Sequence, residues 1–258
     1  MKKKTPVTFG DNILNFSLPD AWHRLNQEQL RYVCYAMTRF DTVTAKTYIF
    51  IRLLQITVLT KNKEGWVCSV RIGRKKVRFF LELWQLQHFL HVLDFIDKPG
   101  NVPVCLKRIG RYVAVDEMLH QVSFEDYLML ENYYQGFLST GDNAHLQSMA
   151  QLLYLDKKGR RPSSMKPADE ELLSVFLWFA AVKDCFTEVF HHLFRPADAS
   201  GDGAANMLDV MNAEIRALTG GDITKEREVL NMDCWRALTE LNEKAHEAQE
   251  MNEKYGRK

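Results

Sequence analysis

The sequence predicts a mainly α fold with small antiparallel β-hairpins, α+β in class, built as a helical core plus a C-terminal helix–Gly-Gly–helix unit. Three observations predict it. Apolar side chains recur at helical spacing along most of the chain, as in Leu86, Phe89, Leu90 and Leu93. Two stretches, Thr57–Leu81 and Val102–Val115, instead carry β-branched and aromatic residues around polar turns containing glycine. Near the C-terminus Met207, Met211, Ile215 and Leu218 share one helical stripe that stops at Gly220-Gly221, where a left-handed C-cap favours glycine.

Taken in order, residues 5–18 suit extended chain with a turn at Gly10-Asp11-Asn12. Asn26 is placed to cap a helix from Gln27 whose buried stripe is Leu30, Val33, Cys34 and Met37, and a second helix over Thr44–Gln55 should turn Tyr48, Ile51, Leu53 and Leu54 inward. A three-strand meander follows, with turns at Lys61–Gly65 and Gly73–Lys76, and then a helix over Leu83–Phe95. After the second hairpin come helices over Ser123–Phe137 and Ala144–Tyr154. A long helix over Asp169–Phe194 is apolar on more than one face and belongs at the centre of the core. The segment RPADASGDGAA reads as a linker, which divides the chain into a helical domain with two hairpins (1–195), a linker (196–205) and a C-terminal unit (206–258). In that unit Asp222 or Thr224 restarts the chain, and Val229, Leu230, Met232, Trp235, Leu238 and Leu241 form an apolar helix face.

Of 258 residues, 46% are hydrophobic and 26% charged, an ordinary balance for a folded protein. With 34 Lys+Arg against 33 Asp+Glu the net charge is +1, which offers no general attraction to nucleic acid or membrane. No signal-type apolar run follows Lys2–Lys4 and no apolar run suits a bilayer, so the cytoplasm is the expected compartment. Five scattered cysteines, Cys34, Cys68, Cys105, Cys185 and Cys234, fit buried free thiols in a reducing compartment rather than a disulfide framework.

The chemistry-bearing patterns are thin. Asp198, Ser200, Asp202, Gly203, Asn206 and Asp209 follow the spacing of an EF-hand loop, but Pro196 interrupts the entering helix and the last ligand is Asp rather than Glu, so a linker is the expectation. His88, His91 and Asp94 share a helix face, while adjacent His191 and His192 should diverge; neither set is expected to hold a metal. Glu170-Glu171 and Asp116-Glu117 suit helix starts. No phosphate loop, dinucleotide fingerprint or serine-nucleophile elbow occurs, so neither a catalytic residue nor a cofactor is expected and the chain reads as a binding protein. The densest basic cluster is Arg71, Arg74, Lys75, Lys76 and Arg78, with Lys107, Arg108, Arg111, Lys157, Lys158, Arg160 and Arg161 elsewhere; a phosphate-facing patch built on them would require acid to be concentrated in another part of the chain.

The stretch MNAEIRALTGGDITKEREVLNMDCWRALTELNEKAHEAQ resembles the C-terminal region of tail assembly chaperones from tailed phages and prophages. Upstream, LPDAWHRLNQEQLRYV, with Pro19, Trp22, Leu25 and Gln29, resembles an opening found in Bacteroidales prophage proteins. The resemblance implies a non-enzymatic assembly factor in the host bacterial cytoplasm that binds a hydrophobic helical partner such as a tape measure protein. Soft, Met-rich faces suit that task, and the expected docking residues are Met207, Met211, Trp235, Leu238 and Leu241. The alternative is a nucleic-acid-associated protein using the Arg71–Arg78 hairpin.

Overall fold

The computed structural model describes residues 4–9, 12–194 and 207–255. The fold is mainly α with small antiparallel sheets, as the periodicity predicts. The chain divides into two compact units: Met1–Leu106 with Ala168–Ser174, and Lys107–Pro167 with Val175–Lys258. That division differs from the expected one at the linker, and residues 196–205 lie outside the described residues.

In the first unit, β1 (Lys4–Phe9) and β2 (Asn12–Ser17) pair antiparallel from Lys4↔Ser17 to Phe9↔Asn12. Phe16 ends this hairpin against Phe79 and Phe89, with ring centroids 5.4 and 6.2 Å away. Helix α1 (Gln27–Arg39) starts as expected. The Asn26 side chain accepts from the Gln29 backbone N–H at 2.9 Å, and the Gln29 side chain accepts from the Asn26 N–H at 3.0 Å, a complete capping box. Leu30, Val33, Cys34 and Ala36 face the core. Helix α2 (Thr42–Leu53) begins two residues before the expected Thr44, because Asp41 caps the Thr44 N–H.

The inward face of α2 corrects the sequence reading. Ala45, Lys46, Ile49 and Phe50 are buried, whereas Tyr48 is 43% exposed and Ile51, Leu53 and Leu54 are only half-buried. The run from Tyr48 to Leu54 is apolar nearly all round, so its periodicity does not choose a face. The Lys46 ammonium chooses it, reaching Asp94 at 2.6 Å and Asp97 at 2.7 Å.

The meander is β3 (Thr57–Lys61), β4 (Gly65–Ile72) and β5 (Lys75–Glu82) in the order β3-β4-β5. Gly73 (φ 59°) takes the first position of the two-residue β4–β5 turn. At Gly65 a Cβ would lie 2.2 Å from the Leu81 carbonyl oxygen, so only glycine fits between the strands. Trp66, Cys68, Val70, Phe79 and Leu81 bury one sheet face. Helix α3 (Leu83–Val92) adds Leu86 and Phe89, and Leu93 follows.

In the second unit the expected Val102–Val115 hairpin is shorter. Only β6 (Arg108–Ile109) and β7 (Tyr112–Ala114) pair across Gly110, with β8 (Tyr154–Leu155) on the other edge of β7. Helices α4 (Phe124–Thr140), α5 (Asn143–Leu153) and α6 (Asp169–Val189) follow. The first turn of α6, through Ser174, belongs to the first unit, and the rest supplies Val175, Trp178, Phe179, Val182 and Phe186 to the core of the second. Trp178 donates its indole N–H to the Glu117 carbonyl at 2.7 Å.

Helix α7 (Met207–Thr219) ends at Gly220 and Gly221, with φ 63° and 83°, as the sequence predicts. The restart is in two pieces rather than one, α8 (Glu226–Leu230) and α9 (Cys234–Tyr255). Asp233 makes the break. One carboxylate oxygen accepts from the Trp235 N–H at 3.0 Å, and the other accepts from the Gln121 N–H at 2.6 Å. The bridge Ser123↔Asp233 and the Cys234 N–H to Val122 carbonyl bond (2.9 Å) fasten the start of α9 to the segment before α4. Asp233→Ala should therefore cost about 1 kcal/mol through loss of the helix cap, the exposed Gln121 N–H turning to water. Asp233→Asn should cost less, and urea unfolding of both variants measures the difference.

Candidate nucleic-acid interface

The β4–β5 register sorts the basic cluster by face. Arg71 pairs with Lys76 and Ser69 with Arg78, so Arg71, Lys76 and Arg78 project from the same side of the sheet, with Phe80 one pair further along. Lys75, paired with Ile72, lies on the opposite side, and Arg74 sits in the turn. All five cations and Phe80 are exposed. Among the described residues their side chains have no ion pair or hydrogen bond. Of the basic residues elsewhere in the pattern, Lys107 pairs with Glu117, Arg160 with Asp156 and Arg161 with Asp126. The sequence of the first unit holds 16 Lys+Arg against 11 Asp+Glu, and that of the second holds 18 against 22. The near-zero net charge therefore conceals a basic unit and an acidic one.

The same unit carries an open groove of about 590 Å³ along α1 and α2, lined by Asn26, Gln29, Tyr32, Tyr48, Arg52 and Gln55 among others. Tyr48 is flanked by Phe40 (4.6 Å between ring centroids), and Tyr32 by Tyr35 (6.2 Å). The Arg52 guanidinium lies 5.6 Å from the Tyr32 ring centre and 3.3 Å from Glu28. Burial raises the Tyr32 hydroxyl above the ordinary tyrosine value. Gln55 closes the C-terminus of α2 in the left-handed region (φ 54°), where glycine is usual, while the Ile56 N–H reaches the Ile51 carbonyl at 3.0 Å. A non-glycine residue there costs on the order of 1 kcal/mol.

The expected docking residues are placed differently. Leu238 and Leu241 are buried, at 0% and 4% exposure. Trp235 is packed against Phe186 (5.1 Å), Phe190 (5.5 Å) and His120 (4.8 Å), and donates its indole N–H to the Met118 carbonyl at 2.6 Å. Leu238 and Leu241 are core of the second unit and Trp235 is half-buried against it, so the face the three share is turned inward. Met211 is half-buried on α7; Met207 starts that helix, and its side chain lies outside the described residues.

The other sequence patterns resolve as structure. Asp198 to Asn206 of the EF-hand-like pattern lie outside the described residues, and Asp209 is in the first turn of α7. Asp94 binds Lys46 as well as His91, and Asp116 accepts from the Met118 and His120 N–H groups. Contrary to expectation, His191 and His192 do not diverge. The helix ends at Val189, and the following turn brings their rings to 4.2 Å, with His246 stacked on His192 at the same distance. Among the described residues no group of three His, Cys, Asp or Glu side chains is placed to hold a metal ion, and no helix is long and apolar enough to cross a membrane. Cys34, Cys68, Cys105 and Cys234 are buried and Cys185 is half-buried, all five as free thiols. Burial pushes Cys34 and Cys234 up to about 12.

One carboxyl site was not legible in the sequence. Glu131 on α4 accepts from Lys183 and Gln135 through one oxygen, and its other oxygen is buried without a hydrogen-bond partner. Burial first, and then the charge of Glu131, push the Glu214 carboxyl on α7 up to about 7. Acids three helices apart in sequence give no local signal of this pairing.

Compared with known proteins, the chain matches no family model, no curated protein and no solved structure.

Two outcomes follow. Trp235→Ala should lower stability by about 3 to 5 kcal/mol in chemical denaturation, as loss of a packed aromatic does. Glu214 binds its proton more tightly folded than unfolded, so its contribution is full below the ordinary glutamate value of 4.5 and is lost as pH rises through about 7. Glu214→Gln should therefore leave stability at pH 4 nearly unchanged and raise it at pH 8, by roughly 2 kcal/mol; thermal melts across that range test the sign.

Proposed function

We propose that the chain is a non-enzymatic nucleic-acid-binding protein whose β4–β5 hairpin engages the phosphate backbone. The observation that carries this reading is the shared sheet face of Arg71, Lys76 and Arg78, without acidic partners among the described residues and continued by Arg74 at the turn. Unpaired cations on a protruding two-stranded ribbon are the chemistry that releases counterions from a polyanion. The excess of basic over acidic residues in the first unit supports it, and it removes the objection raised by the overall charge balance.

Measured by fluorescence anisotropy, log K should fall linearly with log of the salt concentration. Replacing Arg71, Lys76 and Arg78 together by Gln should reduce that slope by about 2 to 3, as three phosphate contacts require. An unchanged slope would remove the hairpin from the interface. All three side chains are exposed, so the variant should melt like the parent.

A second reading, the assembly factor binding a hydrophobic helical partner such as a tape measure protein, rests on the resemblance of the C-terminal region. It is favoured by Leu208 and Val210, which are 59% and 38% exposed on α7. In this reading the docking surface is the exposed N-terminal end of α7, where the two side chains lie on different sides of the helix, and Leu208→Asp with Val210→Asp should abolish co-purification of a tail protein from cells expressing the neighbouring genes.

A further inference from the structure

Resting on the hairpin reading above, we infer that the α1–α2 groove is a stacking site for unpaired nucleobases, so that the ligand is a single strand rather than a duplex. The groove has the volume of a small-molecule site. Its walls offer aromatic rings from two helices, Tyr32 on α1 and Tyr48 on α2, each only partly covered by its neighbours. Base faces stack on such rings with little regard to sequence. Between them Arg52 brings a cation, and its one acidic neighbour, Glu28, is exposed and 3.3 Å away.

The polar lining suits base edges. The carbonyl oxygens of Asn26 and Gln29 are spent on the capping box, which turns their NH2 groups to other use; among the described residues neither those groups nor the Gln55 side-chain amide has a hydrogen-bond partner. Amide donors of this kind meet the ring-nitrogen and carbonyl acceptors that base pairing occupies in a duplex. The strained backbone of Gln55 holds one of these amides at the groove, and strain retained at a surface groove accompanies ligand contact.

The groove also runs into the basic sheet face. Gln55 and Ile56 line it, and the next residue, Thr57, opens β3. Thr57 pairs with Ser69 and Ser69 with Arg78, so a row two strand spacings wide, roughly 10 Å, separates the groove from the cations; Ser69 in its middle is buried, and the exposed Thr57 and Arg78 at its two ends are what a ligand meets. A strand lying along that row places bases against Tyr32 and Tyr48 and phosphates against Arg78, Lys76 and Arg71. The complementary charge of the hairpin selects a polyanion over an apolar peptide as the occupant.

The test compares a labelled single-stranded DNA of about 15 nucleotides with the same sequence as a duplex, and adds a 2-aminopurine version of the single strand. The expected result is tighter binding of the single strand, quenching of the 2-aminopurine on binding, and about tenfold or greater weakening by Tyr32→Leu with Tyr48→Leu. These substitutions should leave the duplex affinity and the salt slope unchanged. Because the quenching is read on the unaltered protein, a variant that folds poorly does not decide the matter. Equal affinity for strand and duplex without quenching would overturn the stacking site while leaving the hairpin reading intact. Failure to bind either form would overturn the hairpin reading itself.

Discussion

The placement of Lys46 between Asp94 and Asp97 sets what the first unit presents to its surroundings. A lysine that is 8% exposed is costly to bury, and the two carboxylates offset that cost only while they stay within hydrogen-bond reach. Meeting them fixes the rotation of α2. Ile49 and Phe50 then turn toward Phe89, which lies 5.1 Å from Phe50, and Tyr48 and Arg52 turn outward into the groove. A rotation of α2 that buried Tyr48 would strand the ammonium. The ion triad is therefore a positioning device: it stands apart from the groove and determines which side chains line it. The hydrogen bonds of Asp94 with Lys46 and then His91 hold its carboxyl below the usual carboxylate range, which keeps that partner of Lys46 charged.

Charge is organised at the level of the units rather than the chain. Total charge measures attraction only when the charges are mixed, and here acids gather in the second unit while the first keeps a hairpin of uncompensated cations. Ion pairs occur in both units, and in the second Arg161 with Asp126 and Lys183 with Glu131 are the most enclosed. What sets the first unit apart is that its hairpin gathers exposed cations on one ribbon.

Much of the architecture was legible because it is written locally. The Asn26 capping box, the Gly73 turn and the Gly220-Gly221 stop each follow from residues adjacent in sequence. What was not legible depends on partners far along the chain. The rotation of α2 is decided by Asp94 and Asp97, about fifty positions away. The break before α9 depends on Asp233 reaching Gln121. The face of Trp235, Leu238 and Leu241 has the pattern of a docking stripe, yet an apolar helical face looks the same in sequence whether it covers its own core or a partner. Of the interface, the basic cluster could be seen in the sequence, but its division between two sheet faces needed the β4–β5 register. The groove could not be seen, because its tyrosines lie on two helices and the one on α2 had been assigned inward.

The discontinuity of the first unit has a consequence for synthesis. Arg31 on α1 pairs with Glu171, so a contact within this unit joins residues 140 positions apart. As the chain leaves the ribosome, residues 1–106 emerge first, but the segment from Ala168 to Ser174 that completes their contacts follows only after residues 107–167. At roughly 5 to 20 residues per second the interval lasts several seconds. During that time the α1 surface that receives Glu171 stays open, and the cationic hairpin has already emerged beside the messenger being read.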